Sequence, residues 1–342
     1  MDALPATYGG SHSRGPCQRS LSNTGTENTV SNNIYGHSNQ SIGNVSNSYN
    51  NTINVGVNEE SLQIQAWLSP LEPHIRHQDV SHRRLDGIGD WVLQKNEFET
   101  WREGGGGSRN PTLLCYGGQG VGKTYIRYQS VVRNPLRRPC AILTRNEISS
   151  LVIDTLCKQA RGQNMAVLSL YCDYQARKNQ SAVNMIGSLL RQVALGATGV
   201  RGEIRRAFEE SRQGGGKCLR LPDMLELFVN TICSFERVYI CIDGVDELLP
   251  EDRSEFLRAL RQIIQEAPNT RLFLTGRPHV CRELDKHLTK RANIIHIVPD
   301  QGDIGRYLSR KLDDDDDRDP DLMTEYLKND IMKTMLEKAS EM

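Results

Sequence analysis

The residues Gly117-Gly118-Gln119-Gly120-Val121-Gly122-Lys123-Thr124 constrain this chain more than any other stretch. They fit G-x-x-x-x-G-K-[ST], the phosphate-cradling Walker A loop. Ahead of them lies Pro111-Thr112-Leu113-Leu114-Cys115-Tyr116, a short apolar run bounded by a proline and a glycine pair. Such a run reads as a buried parallel strand. A strand turning sharply into a helix surrounds one anion with backbone N–H groups and the positive helix end. The glycines let the backbone approach closely, Lys123 reaches the β/γ-phosphates, and the Thr124 hydroxyl is placed to ligate Mg²⁺. A chance Gly-rich turn would carry the same letters, so the reading needs a partner motif.

That partner is Val238-Tyr239-Ile240-Cys241-Ile242-Asp243-Gly244-Val245-Asp246-Glu247, an apolar strand ending in three carboxylates. Asp243, at the C-terminal end of a strand expected beside the P-loop strand, takes the Walker B role of holding Mg²⁺ through water. Ligand sites of open α/β sheets lie at these carboxyl ends. Asp246 and Glu247 follow at the spacing where a carboxylate orients the water that attacks a γ-phosphate. The alternative is a strand that stops at a turn with solvated acids. A third piece is Arg271-Leu272-Phe273-Leu274-Thr275-Gly276-Arg277-Pro278-His279. The Arg277 guanidinium at the end of that strand is placed to sense or stabilise γ-phosphate charge. Thr275 faces the same pocket, and His279 reads as a loop histidine.

Organisation along the chain follows from periodicity and punctuation. Further core strands are predicted over 166–172, 271–275 and 294–298, and helices over 181–195, 200–212, 222–235 and 253–266. A short amphipathic helix over 61–68 is stopped by Ser69-Pro70-Leu71-Glu72-Pro73, and 85–101 shows near-helical apolar spacing. Strands alternating with helices predict an α/β fold, a P-loop NTPase with a parallel sheet flanked by helices. The expected units are a polar tail over 1–58, a helical linker over 59–110, the NTPase domain over 111–312, and an acidic loop with a helix over 313–342. One stretch breaks the pattern. The helix leaving the P-loop is interrupted by Arg133-Asn134-Pro135-Leu136-Arg137-Arg138-Pro139, because prolines break a helix interior. Ser149-Ser150-Leu151-Val152-Ile153-Asp154-Thr155-Leu156 then reads as its continuation. Residues 128–148 are accordingly read as an insertion, or as an unspliced intron in the gene model.

The tail has its own character. Residues 1–56 hold only four charges, Asp2, Arg14, Arg19 and Glu27, and 22–56 are rich in Asn, Ser, Gly and Thr. Val30-Ser31-Asn32 recurs as Val45-Ser46-Asn47. Such a segment cannot bury enough apolar surface to fold alone and reads as disordered. Stacked in register with copies of itself it would instead form Asn ladders in an amyloid-like β-arch.

Charge and cysteines narrow the function classes. Lys+Arg and Asp+Glu both number 42, giving a net charge of zero without the basic face of a nucleic-acid binder. No apolar run is long enough for a membrane helix, and the polar start is not a signal peptide. Nine cysteines include no C-x-x-C pair, and Cys115, Cys172, Cys233 and Cys241 lie in apolar runs as small hydrophobes. This pattern predicts a reduced, cytoplasmic chain without a zinc site.

Together the Walker A loop, the strand-D-G-x-D-E form of Walker B and Thr275-Gly276-Arg277-Pro278 resemble the NACHT class of STAND signalling NTPases. Trp67-Leu68-Ser69-Pro70-Leu71-Glu72-Pro73, the stretch from Arg84-Leu85-Asp86-Gly87 to Trp101, and Tyr171-Cys172-Asp173-Tyr174 look like fungal NACHT proteins, in the region called a nephrocystin-3-like N-terminal domain. The resemblance covers about 61–312. It implies an ATP- or GTP-dependent switch, with ATP favoured, Asp243 for Mg²⁺, Asp246 and Glu247 for hydrolysis, and Arg277 as sensor. It also implies self-association on activation and an N-terminal effector, with the tail resembling amyloid signalling motifs of some fungal members. The winged-helix domain and C-terminal repeats expected of that family are not in this sequence, which predicts a truncated product. Two other functions remain open on the residues alone. One is a turnover NTPase or small-molecule kinase, and the other is a self-assembling module with a degenerate NTPase domain.

Overall fold

Five apolar runs, each bounded by polar or turn residues, form one parallel sheet in a computed structural model that describes residues 59–104, 110–117, 125–126, 140–141, 145–196, 202–215, 219–288, 292–298, 300–313 and 325–340. The strands are β1 (Thr112–Gly117), β4 (Met165–Tyr171), β5 (Arg237–Asp243), β6 (Thr270–Gly276) and β7 (Asn293–Ile297), in the order β4-β5-β6-β1-β7. Every neighbouring pair is parallel. This is the predicted parallel α/β sheet flanked by helices, with the strand ahead of the Walker A glycines inside it. One expectation fails. β5 does not lie beside β1, because β6 is hydrogen-bonded between them. Strand order is set by crossovers, which hydrophobic periodicity does not record.

Side chains along the strands alternate between two faces, and each face is covered by helices. Val238, Ile240 and Ile242 of β5 enter one core cluster, while Tyr239 and Cys241 enter the other. The first cluster is completed by α1 (Glu59–Leu68), α5 (Ala182–Gly196), α6 (Gly202–Gln213), α7 (Leu221–Ile232) and α8 (Pro250–Glu266). The second is completed by α2 (Pro73–Arg83), α3 (Asn96–Glu103), α4 (Arg145–Ala160) and α10 (Gln301–Asp313). A short α9 (Cys281–His287) follows β6, and α11 (Glu325–Ser340) packs on α10. Each fully buried Leu, Ile or Phe in these faces contributes about 1.5–3 kcal/mol.

The segment read as a helical linker contributes to both faces. Ile64 and Leu68 of α1 are buried in the first cluster, and Val80, Val92, Phe98 and Trp101 in the second. The Trp101 indole donates to the Pro111 carbonyl at 3.0 Å, so α3 is pinned to the entrance of β1. α2 begins with Pro73 in its first turn, where a missing N–H costs nothing. The proline that reads as a stop for α1 is therefore also the start of α2. Residues 85–101 are not one helix. Gly87 and Gly89 take positive φ of 78° and 86°, a short 3-10 turn covers Asp90–Val92, and α3 starts only at Asn96. Buried Asp303 of α10 accepts the Gly89 N–H at 2.9 Å and the Trp91 indole at 3.1 Å, which fixes that turn.

The helix expected directly behind Thr124 is also displaced. Tyr125–Ile126 is a strand, β2, paired antiparallel with β3 (Cys140–Ala141). Among the described residues the first helix after β1 is α4, and Ile148, which the sequence places in the interrupted stretch, is fully buried on it. Most of 128–148, the tail over 1–58 and the acidic run over 314–317 lie outside the described residues. Of the cysteines expected to be buried, Cys115, Cys172 and Cys241 are, whereas Cys233 caps α7 and is exposed. Among the described residues, no helix is long and apolar enough to cross a membrane.

A polar cluster joins α2 to α4 and β4. Buried His77 contacts the Tyr171 hydroxyl at 2.7 Å and Asp154 Oδ1 at 3.0 Å. Arg84 donates to Asp154 Oδ2 at 2.7 Å and to the Ser150 hydroxyl at 2.6 Å. Burial pushes the Asp154 carboxyl up, but hydrogen bonds and charge from His77 and then Arg84 outweigh it and hold the carboxyl below its ordinary value. The stabilisation is therefore present above the unfolded carboxylate pKa and is lost as pH falls through the lowered folded value. Asp154→Asn is expected to cost about 2 kcal/mol at pH 7 and to flatten that acid loss, read from urea midpoints against pH.

Helix α5 meets α1 at a bare glycine. A Cβ on Gly187 would lie 2.0 Å from the Leu68 carbonyl oxygen, which is backbone and cannot rotate away. Gly187→Ala is expected to destabilise by about 1–3 kcal/mol through this overpacking, measured by chemical denaturation.

Candidate nucleotide site at the sheet's carboxyl edge

Four strand ends and the loops leaving them assemble at one edge. β1 ends at Gly117, the only Walker A residue among those described; Gly118, Gln119, Gly120, Val121, Gly122, Lys123 and Thr124 lie outside them. β5 delivers Asp243, β6 delivers Thr275 and Gly276, and β4 ends at Tyr171 opposite Asp243 in the register. Parallel pairing brings these ends level, so the sheet itself lines up the predicted residues.

Asp243 is 2% exposed, and a carboxylate so buried needs hydrogen-bond donors. It has them in two hydroxyls. Thr275 Oγ1 donates to Asp243 Oδ1 at 2.5 Å, and Ser149 Oγ of α4 donates to the same oxygen at 2.6 Å. Thr275 Oγ1 in turn accepts the Gly244 N–H at 3.0 Å. Gly244 sits at φ 78°, a left-handed turn that releases the chain from β5 into the 3-10 segment Val245–Glu247. Beside the carboxylate, the Tyr171 phenol is pushed well above its ordinary pKa, first by burial and then by the Asp243 charge.

The other acids part company. Asp246 has a side chain 2% exposed and turns toward β6. Its Oδ1 accepts the Arg277 backbone N–H at 3.2 Å and its Oδ2 pairs with Arg277 Nε at 3.2 Å. Glu247 turns toward β4, where its Oε2 accepts the Tyr174 N–H at 3.1 Å. Tyr174 is itself exposed and stacks under the Arg177 guanidinium at 4.2 Å. Arg277 keeps 34% of its side chain exposed, and no described residue takes its Nη1 or Nη2.

The donor set suits a hard cation shared with phosphate oxygens and water, the usual mode for Mg²⁺. Asp243 presents carboxylate oxygen aimed by two hydroxyls. Among the described residues, no group of three or more His, Cys, Asp or Glu is placed to hold a metal unaided. Of the residues expected here, the structure joins Thr275 to Asp243 and Arg277 to Asp246, whereas Glu247 turns away to Tyr174. Sequence reasoning missed Ser149. The pair Ser149-Ser150 was read only as a helical continuation, and nothing in its spacing marks a partner 94 positions away.

Comparison with known proteins adds the following. The family model described as "Nephrocystin 3, N-terminal" matches residues 147–277. That span includes Ser149, Asp243, Thr275 and Arg277. No curated protein matches the sequence. Among solved structures, the Walker-type ATPase PABY2304 of Pyrococcus abyssi is similar at 14% identity and a TM-score of 0.43, over 73% of this chain and 63% of that one. The Orc1 protein of Aeropyrum pernix in complex with DNA is similar at 17% identity and 0.36, over 73% and 53%. Cdc6p from Pyrobaculum aerophilum is similar at 16% identity and 0.34, over 72% and 52%. The chain thus spans between about half and two thirds of the length of these three proteins.

Removing one hydroxyl donor tests the role given to Thr275. Thr275→Val keeps the shape but leaves Asp243 and the Gly244 N–H short of a partner. It is expected to cost about 1–3 kcal/mol in urea unfolding, with Thr275→Ser close to wild type.

Proposed function

We propose that this chain is a nucleotide-binding signalling switch of the NACHT/STAND kind, binding ATP with Mg²⁺ and hydrolysing it slowly. The observation that carries the reading is the buried Asp243 carboxylate, held by Ser149 and Thr275 at the edge where β1 hands the chain to the Walker A residues. A buried acid oriented by hydroxyls at the carboxyl end of a parallel sheet is suited to position a cation beside phosphate. In this reading 117–124 wrap the phosphates, Lys123 neutralises the β/γ charge, and Thr124 and Asp243 share Mg²⁺. Asp246, Glu247 and Arg277 serve hydrolysis and γ-phosphate sensing. Bound Mg²⁺ would supply charge neutralisation of the phosphates, and the chain supplies orientation. GTP is the alternative nucleotide.

The match of residues 147–277 to the nephrocystin-3 N-terminal model supports this placement of the second half of the site. The cellular setting in this reading is cytoplasmic, in fungal immunity-like, incompatibility or programmed cell-death signalling, with self-association on activation. The tail over 22–56 is the effector candidate.

Nucleotide affinity and turnover of the whole chain test the reading. Wild type is expected to bind Mg·ATP tightly and to turn it over slowly, and Lys123→Ala to weaken binding at least about tenfold. Fast turnover with transfer to a small-molecule acceptor would favour a kinase instead. Absence of any nucleotide binding would leave only a self-assembling role.

A further inference from the structure

The amino ends of β5 and β6 carry two arginines that the candidate nucleotide site does not use. Arg237 and Asp243 are the first and last residues of β5, so this edge lies about 20 Å from that acid at ~3.3 Å per strand residue. In the register Arg271 of β6 stands beside Tyr239, and Arg237 lies two residues earlier on the same face of β5. That face is the one α3 covers, with Trp101 packed on Tyr239 and Phe273.

Both arginines meet the carboxyl end of α3, but in different ways. Arg237 Nη1 donates to the Arg102 carbonyl at 2.9 Å, and the Tyr239 hydroxyl donates to the same oxygen at 3.0 Å. This is the ordinary work of a cation at a helix C-terminus. It does not account for Arg271. Arg271 Nη2 lies against Gly104, where a Cβ would come within 2.3 Å of it. Among the described residues, no carbonyl, hydroxyl or carboxylate takes the Arg271 guanidinium, and its Nε is buried without a partner. Glu103, the acid at that end of α3, accepts from Arg102 at 3.1 Å instead. Burial and then the charge of Arg237 pull the Arg271 pKa below its ordinary value, against a smaller opposing effect of Tyr239.

A half-buried guanidinium that lacks acceptors and faces a second cation is unfavourable as it stands. An anion held by both arginines would satisfy the open N–H groups and turn the repulsion into attraction. The planar donor forks of arginine match the oxygens of phosphate. Arg237 and Arg271 are both only partly buried, so a small solute can reach them.

We infer that Arg237 and Arg271, beside the carboxyl end of α3, form an anion site that takes a phosphate or pyrophosphate group of a small soluble molecule. It stands at the edge of the sheet opposite Asp243 and does not depend on the nucleotide-site reading.

The test is calorimetric titration of inorganic pyrophosphate into the full chain, without Mg²⁺ and at about 0.15 M ionic strength, where exposed charges are largely screened. Lys123→Ala is the background, because the Walker A residues are a competing phosphate site in the reading above. That chain is expected to bind pyrophosphate, and Arg271→Leu or Arg237→Leu to weaken the binding at least about tenfold. Arg271→Lys keeps the charge and loses the fork, so an intermediate affinity is expected. Pyrophosphate should also raise the melting temperature of the Lys123→Ala chain and leave that of its Arg271→Leu derivative unchanged. If Lys123→Ala does not fold, Arg271→Leu in the wild-type chain should remove one equivalent of bound pyrophosphate. If Arg271→Leu does not fold, Arg271→Lys and Arg237→Leu carry the comparison. A folded Lys123→Ala chain that binds no pyrophosphate, or binding that every arginine variant leaves unchanged, overturns the inference and leaves the nucleotide site untouched.

Discussion

A buried carboxylate is the constraint around which this molecule is arranged. Asp243 sits at the end of a strand whose residues from Val238 to Ile242 are buried, and a carboxylate there is costly unless hydrogen bonds replace its water. Both donors come from outside β5, one from β6 and one from α4. These two bonds form only when the strand order β5-β6 and the docking of α4 are both correct. Apolar side chains alternating above and below the sheet would tolerate several helix placements, since burial has no direction. The two hydroxyl bonds do have direction, and they select one.

The same edge shows how a sheet turns sequence order into chemistry. Parallel strands end side by side, so loops far apart in the chain open onto one line. Gly244, in a left-handed turn, lets the chain leave β5 so that successive acids point to opposite neighbours. Asp246 reaches back to the start of the turn after β6, and Glu247 reaches the loop after β4. Three carboxylates in five residues thus engage β6 with α4, the turn after β6, and the loop after β4. Like charges crowded this way repel, and their separation onto different partners relieves that repulsion.

Much of this was legible from residues alone, and what was not has a common cause. Strands β1, β4, β5, β6 and β7 stand within a residue or so of the predicted runs, because short β-branched and apolar stretches between turn residues have few other uses. Asp243 and Thr275 stand together because β5 and β6 end side by side, while Asp246, Glu247 and Arg277 lie just beyond those strand ends. The failures concern relations between elements. The sequence does not say that β6 divides β1 from β5, or that Ser149 belongs to Asp243. Local rules misled where one residue has two readings. Pro73 looks like the end of α1 and is the beginning of α2, and the apolar spacing over 85–101 hides two glycines whose positive φ interrupts it. The prolines on which the expected break rests lie outside the described residues, and the β2–β3 pairing beside them has no signal in the sequence pattern.

Ser149 and Ser150 are consecutive, yet they answer to different parts of the molecule. One hydroxyl is committed to Asp243 inside the site, and the other receives Arg84, which is itself bound to Asp154 below it on α4. A single helical turn is thereby clamped from two sides through short contacts of 2.6 Å. Hydrogen bonds weaken steeply when misaligned, so this turn is oriented against both partners at once. The position of α2 and the orientation of the Asp243 carboxylate are two readings of one coordinate, even though no residue of α2 touches that acid in the hydrogen-bond network described.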